Sequence, residues 1–161
     1  MKRIALALIL SGLLASPALA QVVMHELGSR RAGGLEVSCV IRPPLSQEEI
    51  DHVMKTMMEW MMTMGKMMDE KEMFSMATHQ LGLIITDAKT KKVVRGLEVT
   101  VTAKGPKRSQ DFMMLEMPGS YGGPLMFMDK GDYTLTVNIK PTPQAPKGLK
   151  PVRVSFNFKY M

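Results

Sequence analysis

Methionine is concentrated between positions 54 and 76 of this chain. Met54, Met57, Met58, Met61, Met62, Met64, Met67, Met68, Met73 and Met76 fall there, and the whole sequence holds 18 Met against one Cys, three His and one Trp. A thioether is a neutral, soft donor. It binds Cu(I) or Ag(I) without losing a proton, so it still works in an oxidising or acidic compartment. Three such donors suffice for Cu(I). Helical spacing puts side chains three and four positions apart on one patch, and the sets Met54/Met57/Met58 and Met61/Met64/Met68 have that spacing. His79, just after Met73 and Met76, is placed to complete a mixed Met/His site. The sequence therefore nominates Met54, Met57, Met58, Met61, Met64, Met68 and His79 as metal ligands, with copper as Cu(I) the metal.

Two other uses fit the same residues. Ile50, Met54, Met57, Met58, Met61, Met64 and Met68 fall within about one third of a helix circumference at 100° per residue. His52, Lys55, Thr56, Glu59, Thr63 and Lys66 lie opposite. Such a face can simply pack on a core, with Met in place of Leu. It can also dock a partner or a second copy, because a Met-lined surface adapts to varied apolar shapes. Three features favour sulfur chosen for its chemistry. Met specifies a packed core poorly. In an oxidising compartment it is open to sulfoxide formation. The enrichment also continues outside this stretch, in Met113, Met114, Met117, Met126 and Met128, and in Met24 beside His25. The pairs Met113/Met117 and Met126/Met128 have strand spacing that points each pair to one side.

Of the histidines, His25 reads as solvated and His52 as exposed on the polar helix face. The chain shows no nucleophile motif, no glycine-rich phosphate loop and no paired carboxylates in an evident cleft, so it does not read as an enzyme. Asp69, Glu70 and Glu72 read as a helix end and linker.

The elements that must position these residues start after a leader. Lys2 and Arg3, the apolar stretch 4–14 and Ala18-Leu19-Ala20 have the layout of a secretory signal peptide over 1–20. A bacterial periplasm is the expected destination, and no later apolar run is long enough to span a membrane. Without Lys2 and Arg3, 19 basic and 15 acidic residues leave a net charge of about +4 from the +6 of the full chain. The basic residues are scattered and have no interleaved aromatics, which argues against nucleic acid. The partner expected is a periplasmic or membrane-bound metal-handling protein.

Residues 21–34 read as a flexible segment and 35–161 as one domain. Pro43-Pro44 ends a strand over 35–41, in which Leu35, Val37, Cys39 and Ile41 share a face. Cys39 has no intrachain partner and reads as a buried, inert thiol. Ser46 with Glu49 forms a capping box that opens a helix over about 46–69. Strands follow over 81–86, 94–102, 111–117, 121–128, 133–139 and 152–160, with turn signals between them. About seven short strands with one long inserted Met-rich amphipathic helix give a mainly β chain, an immunoglobulin-like sandwich.

Several segments carry a family resemblance: Thr78-His79, Ile84-Ile85-Thr86-Asp87-Ala88-Lys89, Val94-Arg95-Gly96-Leu97-Glu98-Val99, Gly119-Ser120-Tyr121-Gly122-Gly123 and Gly131-Asp132-Tyr133-Thr134-Leu135-Thr136-Val137. Together they resemble small periplasmic immunoglobulin-like domains of the YtkA/FixH type, over about half of the chain after the leader. The resemblance implies a sandwich fold and company with copper and respiratory-oxidase handling proteins. It does not extend to the methionine-rich stretch.

Overall fold

The computed structural model describes residues 24–44, 46–48, 51, 55 and 77–161. Period-two alternation of apolar side chains dictates strands, because successive residues of an extended chain point to opposite faces. Eight strands result: β1 (His25–Ala32), β2 (Leu35–Arg42), β3 (His79–Asp87), β4 (Leu97–Lys104), β5 (Ser109–Met117), β6 (Ser120–Leu125), β7 (Gly131–Pro141) and β8 (Val152–Tyr160). All pairings are antiparallel, in the order β1-β2-β3-β6-β5-β4-β7-β8.

The inward rows are Leu35, Val37, Cys39 and Ile41 of β2, Leu81, Leu83 and Ile85 of β3, and Leu97, Val99, Val101 and Ala103 of β4. Tyr133, Leu135, Val137 and Ile139 of β7 and Val154, Phe156 and Phe158 of β8 complete them. Burying each larger side chain contributes about 1.5–3 kcal/mol, so these rows hold the strands in register.

β5 turns the corner. Its first part pairs with β4, up to Met114 opposite Val99, and its last residues pair with β6, Met117 opposite Ser120. The two ends of the strand order then meet. The His25 ring packs on Phe158 and the Arg30 guanidinium lies 5.3 Å from the Phe156 ring centre. At the β1–β2 turn, Gly33 and Gly34 have φ of 55° and 81°, the left-handed backbone that a tight hairpin needs. A Cβ on Gly33 would run into the Val152 side chain. The result is a nearly closed antiparallel barrel with a seam between β1 and β8.

This corrects the expected immunoglobulin-like sandwich with a long inserted helix. Every named element among the described residues is a strand, and there are eight. The additional one is β1, inside the segment 21–34 that was expected to be flexible. Its sequence, His25-Glu26-Leu27-Gly28-Ser29-Arg30-Arg31-Ala32, is polar because the strand is largely exposed, so alternation does not reveal it. Pairing with β2 from Ala32↔Leu35 to His25↔Ile41 fixes it in place. Gln47, Glu48, Asp51 and Lys55 have helical backbone, but no helix stands as an element of the described fold. Apart from these and Ser46, the residues of 46–69, and the leader 1–20, lie outside the described residues.

Candidate functional site

At one end of the barrel, β3 begins with His79. It shares the inward face with Leu81, Leu83 and Ile85, and its ring is half-buried. Aromatic rings wall it in. The centroid distances are 5.0 Å to Phe127, 5.6 Å to Phe158 and 5.4 Å to Tyr160. Phe127 stacks on Phe158 at 5.1 Å and lies 4.6 Å from Tyr133. The segment after β6 is held in place by the Tyr133 hydroxyl, which donates to Asp129 O at 2.7 Å and accepts from Asp129 N at 3.1 Å.

Thr78 holds the His79 ring through Nδ1, and we assign the proton of that contact from the other bonds of the hydroxyl. A hydroxyl has one hydrogen to give. Thr78 Oγ1 gives it to Leu125 O at 3.3 Å and receives the Phe127 N–H at 2.8 Å. The 3.1 Å contact between His79 Nδ1 and Thr78 Oγ1 is then donated by the ring. This tautomer leaves the free lone pair on Nε2. Burial, and secondly the charge of His25, hold the ring below the usual histidine pKa. His79 is therefore a neutral imidazole at pH 7, with one nitrogen anchored and the other available. Ligating histidines commonly carry such an anchor on the second nitrogen.

His25, at the start of β1, is exposed as expected, but it is not remote. Its ring meets Phe158 edge-on at 5.9 Å, the same ring that His79 meets at 5.6 Å. Met24 precedes it and is exposed. The barrel thus brings both imidazoles to one mouth, although they stand 54 positions apart in the chain.

The expected ligands Met54, Met57, Met58, Met61, Met64 and Met68 lie outside the described residues, as do Met73 and Met76. His79 is described and sits in the mouth. The later methionines divide. Met114 is buried in the core, whereas Met113 is exposed. Met128 Sδ accepts from Arg108 Nη1 and Gln110 Nε2, each at 3.4 Å, so its lone pairs already face donors. The Arg108 guanidinium also pairs with Asp129 at 3.2 Å. Cys39 is buried, and burial pushes its thiol up to about 12. It stays protonated, an inert core residue as its place in the alternation predicts.

Among the described residues, no three His, Cys, Asp or Glu side chains gather to hold a metal. Imidazole and thioether are the donor types that suit a soft monovalent ion. Among the described residues there is also no helix long and apolar enough to cross a membrane. Sequence reading missed the aromatic wall and the nearness of His25. The available signal was Gly33-Gly34 between two eight-residue runs, a hairpin mark that draws residues 25–32 into the sheet.

No family model matches the chain, and no curated protein matches it. Solved structures do share its fold. A copper-bound single-residue variant of FetP from uropathogenic Escherichia coli strain F11 has a TM-score of 0.61 at 17% identity, covering 86% of this chain and 98% of that one. FetP of the same strain, as isolated after recombinant expression in the periplasm of E. coli, gives 0.60 at 18% identity, covering 86% and 97%. At this identity the likeness is one of fold. It agrees with the β architecture that the YtkA/FixH resemblance implied and carries nothing specific to that family.

Proposed function

We propose that the chain is an exported periplasmic protein that binds copper as Cu(I) and acts as a carrier or buffer, not as a catalyst. The thioethers of Met54, Met57, Met58, Met61, Met64 and Met68 form the soft donor set, and His79 supplies an imidazole. The observation that carries this reading is the state of His79. Its Nδ1 is anchored on Thr78 Oγ1 and its Nε2 is free, at a mouth walled by Phe127, Phe158 and Tyr160. A neutral imidazole beside thioethers binds a monovalent soft ion without proton release. The methionine-rich stretch ends at Met76, three positions before His79. The copper held by a FetP variant of the same fold supports the choice of metal.

Titration of the protein with Cu(I) against a chromophoric chelator tests the reading. The parent should compete. A variant with the six methionines changed to Leu should lose most of that competition, and His79→Phe, which keeps a ring against Phe158, should weaken it. Equal competition by parent and six-Leu variant would end the thioether reading. The same stretch would then be a docking face for a protein partner or a second copy.

A further inference from the structure

We infer that His25 is a second imidazole ligand, and that His25 and His79 take the monovalent metal together at the seam between β1 and β8. The inference rests on the copper-binding reading above and names residues that reading does not use.

Three observations place the pair. Both rings meet Phe158 edge-on, at interplanar angles of 65° for His25 and 69° for His79, so one phenyl ring sets the position of both. With the Nδ1 proton assigned to the bond donated to Thr78 Oγ1, His79 offers Nε2. His25 is exposed, so an ion reaches its ring from solvent. Two imidazoles are a sufficient donor pair for a soft monovalent ion in low coordination, and Met24, the residue before His25, adds a thioether from the same strand end. Thr78 is then a positioning residue. It touches no metal, but it sets the ring nitrogen that does.

The location has a consequence. Among the described residues β1 is laddered only to β2 and β8 only to β7. Across the seam they are joined by side chains, His25 on Phe158 and Arg30 on Phe156. An ion held by His25 of β1 and His79 of β3, beside Phe158 of β8, ties the first strand to the barrel at its open end.

The test uses the full protein and two probes. Ag(I), diamagnetic and soft, is titrated into protein with 15N-labelled histidine, and Cu(I) affinity is read by chelator competition. Ag(I) should shift the Nε2 resonance of His79 together with a ring-nitrogen resonance of His25. It should also slow amide exchange in β1. His25→Ala, a surface change, should weaken Cu(I) by about tenfold or more. Thr78→Val should weaken it by about tenfold, the usual effect of losing a ligand's anchor. If His25→Ala binds like the parent and Ag(I) leaves the His25 resonances in place, the inference falls. The copper reading survives that result provided the six-Leu variant loses metal. If the parent itself fails to compete for Cu(I), the copper reading falls and takes the pair with it.

Discussion

The two ends of the barrel each bring an aromatic side chain with a polar group to the edge of the core, and they treat it differently. At the end opposite His79, Tyr121 is buried. Its hydroxyl donates to Val94 O at 3.0 Å and accepts from Leu97 N at 3.3 Å. Burial pushes the phenol up to about 12. Glu116 adds a bond from Gly96 N at 3.0 Å and an ion pair to Arg95 at 3.3 Å. The hydroxyl is fully used, and the residue is a strut. At the other end the half-buried His79 uses one nitrogen and leaves the second unspent, against the rings of Phe127, Phe158 and Tyr160. A saturated polar group inside a fold is structure. One held rigidly with a lone pair left over is available for chemistry.

The strongest test of that contrast is Phe158→Ala. Phe158 is a core residue and the ring shared by both histidines, so its removal should cost about 3–5 kcal/mol of stability and also weaken Cu(I). Denaturant unfolding and chelator competition read the two effects. Next is Tyr121→Phe, which leaves the Leu97 N–H and the Val94 carbonyl unpaired. A loss of about 1–3 kcal/mol is expected, with Cu(I) affinity unchanged. A change in affinity there would erase the distinction between the ends.

At neutral pH the smallest effect belongs to Cys39, whose contribution appears only in alkali. Its folded thiol titrates near 12 against an ordinary value of 9.0. Above pH 9 the unfolded chain releases this proton and the folded chain does not, so stability falls as pH rises from about 9 toward 12. Cys39→Ala should flatten that slope. Alkylation of Cys39 at pH 8 should await unfolding.

The sequence showed the core rows well. Leu35, Val37, Cys39 and Ile41 alternate with polar residues, and the strand they imply is present with that face buried. β3, β4, β7 and β8 were legible for the same reason. β1 was not, since an exposed strand has no apolar face to write into the sequence. Missing it turned a barrel into a sandwich and left His25 in a loose tail. His79 could be nominated from its position after the methionines, but its tautomer depends on Thr78, Leu125 and Phe127, which only the folded β3–β6 pairing brings together. The proximity of His25 and His79 is likewise a product of closure, with no trace in local spacing.

The seam between β1 and β8 sets an order of events during synthesis. Residues 25–32 emerge early, yet the neighbours they meet across the seam, Phe156 and Phe158 of β8, are made long after them. Contacts of that sequence separation form late and slowly. A nascent chain that has not yet reached β8 has no second wall for the first hairpin to lean on, so removal of β8 should leave that hairpin open at one side.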